Sequence, residues 1–104
     1  MIIDCKDESS IVAVLDKQLV KFLNFNSKTL NYESKNYFVT NLYAFMGEGD
    51  AVRLRRIYPI TNEVQVQQLA SQFAKMLEDL NRKYNIIAFE GSVKDEDSSI
   101  KLFK

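Results

Sequence analysis

The stretch 36-NYFVTNLYAFMGEGDAVRLRRIYPI-60 decides how this chain folds. Both of its flanks are rich in aromatic and β-branched residues, and 47-GEGD-50 between them is turn chemistry. The pattern predicts a β-hairpin with arms over 36–46 and 51–58. Closing the turn with Met46 opposite Ala51 sets a register. One face then carries Phe45 with Val52, Tyr43 with Leu54, Asn41 with Arg56 and Val39 with Tyr58. The other carries Ala44 with Arg53, Leu42 with Arg55 and Thr40 with Ile57. The first face is the more apolar, so it is expected to lie against a helix. Arg53 and Arg55 are then expected to point outward, beside Leu42, Ala44 and Met46. Arg56 is expected inward, near an edge or end of the sheet.

The two glycines do not read as a phosphate cradle. Such a loop joins a strand to a helix N-terminus and offers backbone N–H groups to the anion. Here a strand follows, Glu48 and Asp50 would repel a phosphate, and no Gly-Lys-Ser/Thr comes after. Glycine in a hairpin supplies positive φ, and that is the role expected here.

Downstream, Val66, Leu69, Ala70, Phe73, Leu77, Leu80 and Tyr84 recur at three- and four-residue steps. That spacing predicts an amphipathic helix over 62–84. Thr61 or Asn62 can cap its start, and Arg82 and Lys83 suit the negative end of its dipole. After it, 86-IIAF-89 reads as a short buried strand, 91-GSVKDEDSS-99 as a turn and 100-IKLFK-104 as a last strand, together a second hairpin. Upstream, 9-SSIVAVLDKQLVKFLNF-25 supports two readings. Ile11, Leu15, Leu19 and Phe22 fit one helical face, whereas 11-IVAVL-15 and 19-LVKFLNF-25 fit a hairpin. The helix is favoured, with 29-TLNYE-33 a short strand after it. The expected order is α-β-β-β-α-β-β. This is a single α+β domain over 1–104, an antiparallel sheet packed by the long helix and an N-terminal one.

Composition removes several chemistries. The chain has 104 residues and no histidine, which takes away the usual general base and the usual metal ligand. Serine or cysteine nucleophiles activated by histidine are excluded with it. The single cysteine, Cys5, cannot close an internal disulfide or build a zinc site, and reads as a partly buried apolar residue. Glu48 and Asp50, and Asp95, Glu96 and Asp97, are acidic turn residues without calcium-loop spacing. No catalytic residue, metal or cofactor is expected. The longest apolar run, Ile11 to Leu15, is far too short to span a membrane, and no leader pattern opens the chain. A reducing, cytoplasmic setting is the default.

Fourteen basic residues balance 14 acidic ones. Zero net charge disfavours a dedicated DNA-binding domain and favours association, with a partner protein or as a homodimer. Outward arginine among apolar side chains is interface composition. The candidate partner-binding residues are therefore Arg53, Arg55, Leu42, Ala44 and Met46. The function expected is a small non-enzymatic protein-interaction module, of adaptor, inhibitor or assembly-chaperone type, using the outer face of the 36–58 hairpin. The alternative is a single-stranded nucleic-acid binder using Arg53, Arg55 and nearby lysines. It is disfavoured because Tyr43 and Phe45 are expected on the opposite face.

Overall fold

A chain that alternates short β-rich runs with two helical stretches can bury both helices on one sheet, and this one does. The computed structural model describes residues 2–46, 51–85 and 88–90. The expected turn at 47–50, the first two residues of the expected strand at 86–89, and the expected hairpin loop and last strand over 91–104 lie outside the described residues. The elements are β1 (Ile2–Asp4), α1 (Glu8–Leu15), β2 (Phe22–Tyr32), β3 (Lys35–Phe45), β4 (Val52–Ile60), α2 (Glu63–Tyr84) and β5 (Ala88–Glu90). Their order in the sheet is β1-β4-β3-β2-β5. The centre, β4-β3-β2, is an antiparallel meander, but β1 runs parallel to β4 and β5 parallel to β2. The sheet is therefore mixed, not antiparallel as expected. The chain also opens on a strand that the sequence reading did not assign.

The topology explains why one face has both helices. β1-α1-β2 and β4-α2-β5 are both crossovers between parallel strands, and both move across the sheet in the same direction. Right-handed connections then place both helices on the same side. Ile11 and Leu15 of α1, and Phe73, Met76, Leu77 and Leu80 of α2, pack there with Leu23, Leu42, Ala44 and Leu54 of the strands. No described helix lies on the other face.

The ambiguous N-terminal segment resolves into half of each reading. Asp7 caps α1, its Oδ1 accepting from the Ser10 amide and hydroxyl, both at 2.9 Å. The helix stops at Leu15, and Leu19, which would continue its apolar face, is 86% exposed. From Lys21, whose amide donates to the Phe45 carbonyl at 2.7 Å, the chain joins β3 instead. An unbroken ladder from Phe22↔Phe45 to Tyr32↔Lys35 outweighs one or two further helical turns. The expected strand at 29–33 is thus the far end of a longer one. Its turn is Glu33-Ser34, with φ of 50° and 65°. Two positive φ values suit the twist of a tight hairpin, at a cost of about 1–2 kcal/mol per non-glycine residue.

The helix α2 matches its expected range. Asn62 accepts from the Gln65 amide at 3.0 Å while the Gln65 side chain accepts from the Asn62 amide, a capping box. The left-handed Asn85 ends it. Its C-terminal half is anchored in the core, whereas Val66 and Leu69 are only half-buried and Ala70 is exposed. Near its end, the Tyr84 hydroxyl donates to Asp16 Oδ1 at 2.5 Å, joining α2 to the end of α1. Burial, with the bond to Asp16 and its charge, pushes the Tyr84 pKa up to about 12. The folded state holds this proton more tightly than the unfolded chain, whose tyrosines titrate near about 10. The contribution of Tyr84 to stability is therefore full below about pH 10 and falls as pH rises towards about 12. Spectrophotometric titration should show a late-titrating tyrosine that Tyr84→Phe removes. If the variant leaves the high-pH end of the curve unchanged, the contact is absent in solution.

Candidate functional site

The β3–β4 register decides where the expected site residues go. Ala44 pairs with Val52, Tyr43 with Arg53, Leu42 with Leu54, Asn41 with Arg55, Thr40 with Arg56, Val39 with Ile57 and Phe38 with Tyr58. This is one residue away from the expected pairing. A one-residue slip reverses every side chain of one strand. Val52 and Leu54 face the helices as expected, and Arg53 and Arg55 face away. On β3 the faces are exchanged: Leu42 and Ala44 enter the core, while Val39, Asn41, Tyr43 and Phe45 share the arginine face.

The polar residues give the physical reason. In the expected register Asn41 would sit among core side chains. In the observed one it lies on the helix-free face, donating to Asn26 Oδ1 at 2.9 Å and accepting from Arg53 Nε at 2.8 Å. Leu42, Ala44, Val52 and Leu54 then form an uninterrupted apolar surface under the helices. Satisfying a buried amide while gaining that surface decides between two otherwise similar pairings.

The five candidate partner-binding residues therefore do not form one surface. Leu42 and Ala44 are each 1% exposed in the core, and Met46 packs partly buried against it. Arg53 and Arg55 stay on the opposite face, 9% and 3% exposed. Arg55 makes a bidentate pair with Asp4 of β1, Nε to Oδ1 at 2.6 Å and Nη2 to Oδ2 at 3.1 Å. Arg53 lies 5.8 Å from the centre of the Tyr43 ring. The expected separation of arginines from aromatics is thus corrected, and Phe22 stacks on Phe45 at 4.5 Å along the same side. These arginines are locked into the sheet, not spread on a free surface. Arg56 takes the inward, edge position expected of it. Its Nη2 donates to the Lys6 carbonyl at 3.2 Å and its guanidinium lies 4.8 Å from the centre of the Tyr58 ring.

Cys5 is buried and free. Burial pushes its thiol pKa up, and the charges of Asp4 and Asp7 outnumber the opposing one of Arg56. It packs in the core under the helices, where burial disfavours its thiolate. Among the described residues no group of three acidic or cysteine side chains comes together to hold a metal. Among the same residues no helix is long and apolar enough to cross a membrane.

The sequence reading missed a cleft on the helix side. It has a volume of about 320 Å³ and lies between β2 and α2. Phe25, Phe73 and Leu77 make an apolar floor, and Phe25 meets Phe73 edge to face at 5.9 Å. Ser27, Ala70 and Ala74 are solvent-exposed walls. Short side chains on both walls keep the cleft open. The signal was present in the sequence as Ala70 on the α2 stripe and Ala74 one turn further on, where larger residues would have closed onto β2.

No protein-family model, curated protein or solved structure matches the chain.

Proposed function

We propose that this protein is a small non-enzymatic protein-interaction module that receives apolar side chains of a partner protein in the cleft between β2 and α2. The observation that carries this reading is an open apolar floor, Phe25, Phe73 and Leu77, between exposed small-residue walls. Concave apolar surface that solvent reaches is what a partner's anchor residues fill. Among the described lining residues Glu78 is the only titratable one, and these residues offer no acid–base pair.

The nucleic-acid alternative gains Tyr43 on the arginine face but loses accessibility, because Tyr43, Arg53 and Arg55 are all buried. Zero net charge also gives no long-range field to attract a polyanion. Labelled oligonucleotides at low salt should show no saturable anisotropy change.

Selection of a displayed peptide library on the immobilised protein tests the cleft. Enriched peptides should carry apolar residues and bind the Ala74→Trp variant at least about tenfold more weakly, a loss of about 1.4 kcal/mol. Ala74 faces solvent, so the melting temperature of the variant should stay close to that of the wild type. No enrichment, or peptides indifferent to Ala74→Trp, rejects this reading.

A further inference from the structure

We propose a second site, independent of the cleft: the corner where β1 ends binds a phosphate group, free or carried on a small molecule. β1 covers β4 only from Arg53 to Arg55, and the Cys5 amide, donating to the Arg55 carbonyl at 2.8 Å, makes the last backbone bond between them. Beyond it a cavity of about 380 Å³ is lined by Asp4, Cys5, Lys6, Arg55, Arg56 and Tyr58, with Ile57. Successive strand residues leave on opposite faces. At an edge that its neighbouring strand no longer covers, Arg55 and Arg56 both border one cavity.

Charge and unmet hydrogen bonding point to an anion there. Among the described residues three cations border the cavity against one carboxylate, Asp4, and that carboxylate is already committed to Nε and Nη2 of Arg55. Asp7 stands close enough to feel Arg56 and Lys6, but it does not line the cavity and its Oδ1 caps α1. Arg55 Nη1 and Arg56 Nε are buried and have no hydrogen-bond partner. Buried guanidinium donors left unpaired are rare and costly, and two of the residues that line the cavity carry one each. Lys6 is exposed at the rim, and the Tyr58 ring supports the Arg56 plane. Two cations beyond the Asp4–Arg55 pair fit a phosphate dianion better than a carboxylate, and arginine forks suit its oxygens.

The test is an amide chemical-shift titration of the whole chain with inorganic phosphate, and in parallel with acetate and O-phosphoserine, at constant ionic strength. Saturable shifts centred on Lys6, Arg56 and Ile57 are expected with phosphate. Arg56→Gln and Lys6→Gln should each weaken the phosphate response about tenfold. Lys6 is exposed, so its replacement leaves the fold intact and separates lost binding from lost structure. If O-phosphoserine binds more tightly than phosphate, the natural ligand is a phosphorylated molecule; if less tightly, it is the free ion. Shifts that do not saturate, that acetate reproduces with equal affinity, or that survive both substitutions overturn the proposal.

Discussion

Leu42→Ala should lower the free energy of unfolding by about 2–5 kcal/mol. Leu42 is 1% exposed and pairs with Leu54 on the face that packs against both helices. Its truncation removes apolar contact and leaves a cavity that Leu23, Leu77 and Leu80 can only partly fill, because interiors are close-packed. For a domain whose whole stability is about 5–15 kcal/mol this is a large share. Urea denaturation followed by circular dichroism measures it, with the slope expected to stay constant and the midpoint to fall. The result also decides the register. In the expected register Leu42 would lie on the helix-free face beside Arg55, outside the contacts with α1 and α2, and its replacement would cost less than about 2 kcal/mol. A loss that small would mean that β3 presents its other face to the helices.

The contrast between α2 and the β3–β4 register shows what the sequence carries and what it does not. In α2, seven apolar positions, a capping asparagine and charges suited to the dipole all favour one answer. In the hairpin, the existence of both arms was legible from local composition. The register was not, because a glycine-rich connection accommodates more than one loop length. Only tertiary partners, Asn26 for Asn41 and the helices for Leu42, choose between the pairings. The β2–β3 hairpin was hidden for a different reason. Glu33 and Ser34 hold positive φ without glycine or asparagine, so the turn gave no signal. β1 and β5, of three residues each, are too short to show a period, and they exist because the sheet edges accept them in parallel. The site followed the register. Arg53 and Arg55 were correctly sent away from the helices, but the slip put Leu42 and Ala44 beside them and hid Tyr43 and Asn41. The partner of Arg55 could not be read at all, because Asp4 is distant in sequence and belongs to the strand that the pattern did not reveal.

That pairing leads to the second large effect. Asp4→Ala should destabilise the protein by about 2–3 kcal/mol, less than a fully buried pair because the Asp4 side chain is 59% exposed. The loss arises on the arginine. Its side chain is 4% exposed, Nη1 already has no partner, and removing Asp4 takes the acceptors of Nε and Nη2 as well. A charged group would then be buried without its carboxylate. Asp4→Asn keeps one acceptor and should lose less. The discriminating variant is the double one, Asp4→Ala with Arg55→Met. An apolar side chain of similar length removes the stranded charge, so the double variant should be more stable than Asp4→Ala alone. Simple additivity would predict the opposite order. Thermal denaturation of the wild type, Asp4→Ala, Arg55→Met and the double variant in one buffer gives the coupling directly. If the double variant is the least stable, Arg55 supports the sheet through its packing and other contacts, and the pair with Asp4 is incidental. If it recovers, β1 is held to β4 by the need to neutralise one buried arginine, which explains why a three-residue strand forms at this edge.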